Sequence, residues 1–125
     1  MGRSREKGKA AEELASRYLK KKGYAIIARN FTSYWGEIDI VAYEPKKRCI
    51  VFVEVRSRSS DSLAHPADTV TRRKRERIIK TALTFLSGST VNYEAVRFDV
   101  VAVLPGKVIH LKEAFTPEES FPYEI

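Results

Sequence analysis

The sequence contains little cysteine and no long apolar run, and both deficits narrow the classes of protein it can encode. Its 125 residues include one cysteine, Cys49, which excludes an intramolecular disulfide framework and a cysteine-based zinc site. The longest strongly apolar run, Cys49 to Val53, is far shorter than the roughly 18 residues of a membrane span. The N-terminus carries charge without the apolar segment of a secretory signal, and it lacks the serine or threonine at position 6 that lipidation requires. We therefore expect a cytoplasmic protein with no membrane partner and a single domain over residues 1–125.

The charge is distributed unevenly along a chain whose net charge is +7. Residues 1–22 and 56–80 each carry a net charge of +5, whereas the acidic C-terminal tail, about 113–125, carries −4. Two basic patches favour an anionic partner, with nucleic acid, DNA in particular, as the first candidate. Solvated helix faces would give the same composition, so charge alone leaves both interpretations open.

Hydrophobic periodicity predicts an α/β fold. Apolar residues recur at helical spacing in two segments and follow strand patterns in shorter ones. The predicted helices cover about 4–22, ended by Gly23, and 71–86, ended by Gly88. The predicted strands cover 24–31, 36–44, 49–58 and 95–104, with a fifth candidate at 107–115. This αβββαβ order is typical of helices packed against one mixed sheet.

Two acidic side chains of the second and third strands are predicted to converge. If the turn at 45–48 closes a hairpin, Glu44 faces Cys49, and counting back along the antiparallel strands places Asp39 opposite Glu54. The same count places Glu37 opposite Arg56. Directly opposed Cβ atoms lie only about 4.5–5.5 Å apart, where two like charges are destabilising. A cation is therefore expected between the two acids.

Strand alternation assigns the charged and apolar side chains of this hairpin to opposite faces. One face is expected to carry Ile38, Ile40, Val53 and Val55. The other is expected to carry Glu37, Asp39, Glu54, Arg56 and Arg58. A few hard oxygen ligands suit Mg²⁺ or Mn²⁺, which would bind a phosphate oxygen and activate water. An ion-pair network in which Arg56 or Arg97 neutralises both acids is an equally good interpretation.

A third acid lies on the first helix. Glu12 borders the apolar stripe through Ala15 and Leu19, so the helix carries it toward the sheet. Glu13, by contrast, is expected to pair with Arg17 in solvent. A half-buried glutamate needs a partner, which the metal of the acidic cluster or a metal-bound water would provide. A rim glutamate beside a lysine is the alternative.

These residues resemble those of a known nuclease group. The segments GEIDIVA and VFVEVR look like the PD-(D/E)XK signature, an aspartate followed by Glu-x-Lys on the adjacent strand. More closely, the chain resembles the YraN family of small bacterial proteins, which are regarded as candidate endonucleases similar to archaeal Holliday junction resolvases. The match runs from about Gly8 to Phe115. It includes AEELASRYL, Asn30-Phe31, Val70-Thr71 with Lys74, and RFDVV from Arg97.

The resemblance implies a fold, a reaction and a site. The fold is a restriction-endonuclease-like αβββαβ core with a mixed central sheet flanked by helices. The reaction is metal-dependent hydrolysis of DNA phosphodiester bonds, with branched or structured DNA as a candidate substrate. Asp39, Glu54 and the Val55 carbonyl would be the metal ligands, and Glu12 the helix acid. Arg56 replaces the superfamily's lysine; because arginine stays protonated, it can position water or stabilise charge but cannot act as a general base.

Basic residues crowd the first turns of the second helix, after Thr71 as the expected N-cap. They are Arg72, Arg73, Lys74, Arg75 and Arg77, and Arg58 is a further candidate for nucleic-acid binding. Cations oppose the positive end of the helix dipole, so their presence is easier to explain if phosphates approach this terminus. Such contacts would hold a backbone without reading its sequence. A merely solvated face is the alternative.

An aromatic group, Phe31, Tyr34 and Trp35, lies beside the proposed site in the sequence. Hydrophobic packing at a strand turn is the expectation, and stacking on an unpaired base is the alternative. Two other functions stay open beside the nuclease: a nucleic-acid-binding module that kept the fold without catalysis, and a protein-interaction domain. A homodimer would suit an enzyme that cuts two strands.

Overall fold

A computed structural model describes residues 2–59 and 70–120 and contains the two helices and five strands predicted from the sequence. The elements are α1 Gly2–Lys21, β1 Ala25–Thr32, β2 Glu37–Glu44, a 3-10 turn Pro45–Lys47, β3 Cys49–Ser57, α2 Arg72–Gly88, β4 Ala95–Leu104, β5 Lys107–Phe115 and α3 Pro117–Ser120. The loop predicted before α2 and the last five residues of the acidic tail lie outside the described residues. None of the described helices is long and apolar enough to cross a membrane.

The five strands form one mixed sheet in the order β1-β2-β3-β4-β5. β3 and β4 are parallel and every other neighbouring pair is antiparallel. A parallel pair needs a crossover, and α2 lies in the connection between β3 and β4. This is an α/β fold with a mixed sheet, consistent with the restriction-endonuclease-like core that the sequence predicts.

The sheet is covered by a helix on each face, which explains why β3 is apolar on both sides. Val51 and Val53 pack in one buried cluster with Leu19 of α1, whereas Phe52 packs in a second cluster with Ile78 of α2. Alternate residues of one strand thus belong to opposite cores. The charged residues of β3, Glu54 and Arg56, flank Val55, which still packs against the α1 cluster.

Both predicted helix boundaries are confirmed by their capping contacts. Thr71 Oγ1 accepts a hydrogen bond from the Lys74 N–H at 3.2 Å, which fixes the start of α2. After α1, Gly23 has φ 96°, in the left-handed region, and the Tyr24 N–H donates to the Leu19 carbonyl at 3.0 Å.

The predicted register of the β2–β3 hairpin is confirmed from Glu44↔Cys49 to Ile40↔Val53. The predicted position of Ile38 was wrong: it packs in the α2 cluster and not with Ile40 in the α1 cluster. The residue before β2, Gly36, lies close to α2: a Cβ atom added to this glycine would lie 3.6 Å from the Cβ of Arg77. The start of β2 is therefore drawn toward α2, and the strand departs from strict alternation there.

Candidate active site at the fork between two strands

The candidate site lies where β2 and β3 separate, one residue beyond the end of their ladder. Asp39 Oδ2 accepts a hydrogen bond from the Val55 N–H at 2.8 Å, so a side chain takes the place of the next main-chain contact. The N–H and C=O of one residue in an extended strand point to the same side. The Val55 carbonyl therefore also points toward the fork, as its predicted role requires.

Glu54 brings the second carboxylate to this fork from β3. Its side chain is only 5% exposed, and Lys74 Nζ of α2 lies 2.9 Å from its Oε2. Arg56 NH2 lies farther away, at 3.6 Å from the same oxygen. Because a buried carboxylate is costly without a partner, Lys74 at 2.9 Å is the principal ion-pair partner of Glu54.

The electrostatics of Asp39 show that the acids converge. Burial, followed by the charge of Glu54, raises the pKa of Asp39 to about 7. Glu12 also raises this pKa, whereas the Val55 N–H and Lys74 lower it. Like charges shift a carboxyl in this way when they lie close together. Asp39 thus has an excess of negative charge around it that a cation would relieve.

Glu12 reaches the neighbourhood of Asp39 from α1 and is half-buried, as predicted. Its partner is neither a lysine nor another acid: Asn30 Nδ2 donates to Glu12 Oε1 at 3.0 Å. The register that pairs Arg29 with Ile40 places Asn30 opposite Asp39. Asn30 has φ 52°, in the left-handed region that asparagine tolerates better than most residues. Asn30 thus contacts the helix acid and lies across the strand pair from Asp39; its mid-strand polarity and its place in the family match are the signals in the sequence that mark it.

An open cavity of about 390 Å³ lies in front of the acids. Its described walls are Gly36, Glu37, Asp39, Glu54, Thr71, Arg73, Lys74, Arg77 and Ile78. The cavity therefore has carboxylates on the sheet side and cations on the α2 side. The cations of α2 are therefore placed to contact an anionic ligand in this cavity.

The other predicted basic residues lie elsewhere. Arg75 Nε donates to the Val70 carbonyl at 2.8 Å, and its guanidinium lies over the Phe115 ring at 5.4 Å. Arg72 pairs with Glu76 at 3.6 Å on the outer surface. Arg58 follows the end of β3, where its N–H donates to the Val103 carbonyl at 2.9 Å. The structure brings Arg73, Lys74 and Arg77 to the cavity, whereas Arg58, Arg72 and Arg75 are not among its described walls.

Arg97 does not neutralise the two acids of the fork. It lies on the α1 side of the sheet, where its guanidinium binds Asp99 through two hydrogen bonds of 2.9 Å and Glu44 at 2.8 Å. His110 Nε2 lies 2.7 Å from Asp99 Oδ2, and the Glu113 N–H also donates to this carboxylate. Although burial opposes it, these hydrogen bonds hold the pKa of Asp99 below its ordinary value. The alternative that assigned Arg97 to the acidic cluster was wrong.

The aromatic group separates into a packed and an exposed part. Phe31 packs edge-on against Phe85 at 5.2 Å between ring centres, as expected. Tyr34 is 92% exposed, so the packing predicted for this ring was wrong, whereas Trp35 is 44% exposed and packs edge-on against Tyr34 at 5.0 Å between ring centres. The turn that carries them lies beside α2, which leaves their outer surfaces without a covering element among the described residues.

The donor set at the fork can be compared with what a metal ion needs. Among the described residues, no group of three histidine, cysteine or acidic side chains forms a complete metal cage. Mg²⁺ does not require one, since proteins commonly bind it through one or two carboxylates with waters and substrate phosphate completing the shell. Two convergent carboxylates, one of them with its pKa raised by the other, and a carbonyl directed to the same fork fit that requirement.

Sequence reasoning missed the position of Lys74. It was predicted as a phosphate contact on a helix surface, whereas its ammonium group contacts a carboxylate of the candidate site. Its local charge pattern does not separate it from Arg73 or Arg75, and the family match that includes it gave no contact for it. Only the way α2 packs on the sheet decides which of these cations turns inward.

The fold and the site together define a class: an α/β protein with a mixed sheet and an acidic cavity, bordered by cations, where two central strands separate. The comparison with known sequences gives the family. The chain belongs to the family described as Uncharacterised protein family UPF0102, which it matches over residues 11–103. The resemblance to this family, which the sequence motifs indicated, is therefore confirmed.

Relatives from several bacteria match the chain over most of its length. A UPF0102 protein of Persephonella marina is 40% identical over 109 residues, which is 87% of this chain and 92% of the relative. One of Sulfurihydrogenibium sp. is 39% identical over 113 residues, 90% of this chain and 96% of the relative. One of Trichlorobacter lovleyi is 45% identical over 97 residues, 78% of this chain and 76% of the relative.

Proposed function

We propose that this protein is a metal-dependent endonuclease of the PD-(D/E)XK type that hydrolyses DNA phosphodiester bonds, with branched or structured DNA as its substrate class. One observation carries the proposal. Asp39 and Glu54, from neighbouring strands, line a single open cavity whose opposite wall is the basic start of α2. A site that places carboxylates and cations around one cavity can hold a metal ion and a phosphate side by side.

The ion would be Mg²⁺ or Mn²⁺, held by Asp39, Glu54 and the Val55 carbonyl. When bound, such an ion lowers the pKa of a coordinated water and neutralises charge on a phosphate oxygen. The protein fixes the two carboxylates by different means. The Val55 N–H orients Asp39, and Lys74 orients Glu54, so neither acid needs to rearrange from an exposed position.

The cations of the site would act on the phosphate. Lys74 is half-exposed and reaches from Glu54 toward the cavity, so its ammonium group can stabilise charge that develops during attack on the phosphate. Arg56 lies 3.6 Å from the same Glu54 oxygen and cannot serve as a base. We infer that Lys74 supplies from the helix the lysine that the nuclease signature ordinarily places at position 56.

Arg73 and Arg77 would hold the flanking phosphates. They lie one helical turn apart on the cavity wall, a spacing suited to two contacts along one nucleic-acid backbone. Glu12 would complete the acidic side as the helix acid, with Asn30 holding it in place. A homodimer would present two such sites for cutting two strands.

The proposal is tested by cleavage of plasmid and of a four-way DNA junction in Mg²⁺ and in Mn²⁺. Asp39→Asn and Glu54→Gln should each reduce cleavage at least about a hundredfold, the usual loss when one charge-stabilising group is removed. Glu94→Gln is the matched control, because this exposed carboxylate pairs with Arg48 at the opposite end of β3. Cleavage that survives both site variants would overturn the proposal.

A nucleic-acid-binding module without catalysis is the second candidate. The observation that favours it is that Glu54 already has two cations close to it, Lys74 and Arg56, which compete with a metal ion. DNA binding that persists in both site variants, with no cleavage by the wild type in either metal, would select this function.

A further inference from the structure

We propose that the β1–β2 turn is a stacking platform for an unpaired base, so that the substrate carries a single-stranded segment next to the cleaved phosphate. This inference rests on the proposed nuclease function and specifies its substrate. The platform is the exposed ring of Tyr34, supported by Trp35, whose ring centre lies 5.0 Å away at 86°. A tyrosine that exposes 92% of its surface is unusual for so large a ring, and bases stack on such rings regardless of sequence.

The turn is held rigidly in place. The Ser33 N–H donates to the Gly36 carbonyl at 2.8 Å, and the Trp35 N–H donates to Ser33 Oγ at 3.0 Å. Ser33 Oγ lies 3.0 Å from Oγ1 of Thr81, which is fully buried on α2. The aromatic pair is therefore fixed to the same helix that lines the candidate site, and binding would not require the turn to be ordered first.

A groove connects the platform to the acids. A cavity of about 820 Å³ runs along the turn and shares Gly36, Glu37, Arg73 and Arg77 with the cavity in front of the acids. Lys80 joins this wall, and its ammonium group lies 4.4 Å from the centre of the Trp35 ring.

The cations of the groove follow one stripe of α2. Arg73, Arg77 and Lys80 are spaced i, i+4 and i+7, a stripe of three cations leading from the acids to the exposed rings. The groove also contains Glu37, near the acids, and Glu76, which pairs with Arg72. A strand whose phosphates followed the three cations would bring its base to Tyr34. An apolar protein segment would leave these cations without a counter-charge, so a nucleic acid is the better occupant.

The test compares two DNAs of equal length, a fully paired duplex and a duplex with splayed arms that carry 2-aminopurine beside the branch. Binding is measured in EDTA by anisotropy and stacking by 2-aminopurine fluorescence. Wild type should quench the probe and prefer the splayed DNA. Tyr34→Ala should weaken binding of the splayed DNA at least about fivefold and abolish quenching, with binding of the paired duplex unchanged within about twofold.

Two variants separate stacking from loss of structure. Tyr34→Phe keeps the ring and should retain binding and quenching, and Tyr93→Ala, which removes another exposed tyrosine outside the groove, should have no effect. Equal losses for both DNAs, or no loss for either, would overturn the platform while leaving metal-dependent cleavage intact. If wild type bound neither DNA, the platform would be overturned, whereas the nuclease proposal is decided separately by the cleavage assays in Mg²⁺ and Mn²⁺.

Discussion

At the scale of single residues, Asp39 is the most informative group, because its environment disfavours its charged form. Its pKa of about 7 means that the native state keeps a proton that the unfolded chain releases near pH 4. Between those two pH values the unfolded state binds fewer protons than the native state. The contribution of Asp39 to stability therefore falls as pH rises through this window.

Asp39→Asn should remove this pH dependence. Asparagine keeps an oxygen for the Val55 N–H and carries no charge. The free energy of unfolding of the variant should therefore equal that of wild type near pH 4 and exceed it by about 1–3 kcal/mol at pH 8. Urea unfolding in EDTA measures the difference. Added Mn²⁺ should stabilise wild type and not the variant. A difference that stays constant from pH 4 to pH 8 would contradict the raised pKa.

The contributions of Lys74 and Glu54 to stability should depend on one another. Lys74→Met leaves Glu54, 5% exposed, without its nearest cation and should lower stability by about 1–3 kcal/mol, less than for a fully buried pair because the lysine is half-exposed. Combining it with Glu54→Gln should restore most of the loss, since the buried charge is gone. Chemical denaturation of the four proteins gives the coupling free energy. Additive losses would contradict the ion pair, and Arg72→Gln controls for loss of a helix cation.

At the scale of elements, α2 combines a packing face with a binding face. Ile78, Ile79 and Ala82 are buried against the sheet, as their spacing predicts. An adjacent face of the same helix carries Arg73, Arg77 and Lys80, which line the groove. The same packing thus positions the phosphate contacts that the proposed function needs.

The salt dependence of DNA binding should report on this stripe. Neutralising Arg73 and Arg77 together by glutamine should reduce the slope of log K against log salt by nearly two, because each phosphate contact on duplex DNA releases about 0.9 of a counterion. Lys20→Gln with Lys21→Gln, in the last turn of α1, changes the net charge equally and is the control. Equal slope changes in the two double variants would show that only total charge matters.

At the scale of the whole molecule, the buried network around Asp99 joins most of the sheet. Arg97 and Asp99 lie on β4, His110 on β5 and Glu44 on β2, and Arg97 also donates to the Tyr24 hydroxyl at 2.8 Å before β1. These polar groups satisfy one another on the α1 side, away from the acidic fork. They therefore join β2, β4 and β5 to the residue that precedes β1.

Asp99→Asn should destabilise the protein by about 3 kcal/mol near neutral pH, because it removes the more deeply buried of the two carboxylates that pair with Arg97. The pKa of Asp99 is depressed, so its contribution is present above pH 4 and is lost as pH falls through the lower native value. The difference between variant and wild type should therefore shrink in acid. Thermal unfolding from pH 3 to pH 7 measures it, and a gap that widens in acid would contradict the assignment.

Much of the architecture could be predicted because it depends on local patterns. The apolar stripes of α1 and α2, the Thr71 cap, the Gly23 stop and the short turn after Glu44 are each encoded within a few residues. The hairpin register followed from that turn, and with it the convergence of Asp39 and Glu54. The family signature agreed with these residues, which is why the candidate site could be named before any tertiary contact was known.

The sequence alone determined the elements, the sheet class and the two strand acids, since period, turn length and register are properties of neighbouring residues. Tertiary packing alone decided that Lys74 turns toward Glu54, that Asn30 holds Glu12 and that Tyr34 stays exposed. Those contacts join groups up to 20 positions apart, and similar cations or rings nearby would satisfy the same local pattern. Only the angle at which each helix lies on the sheet selects among them.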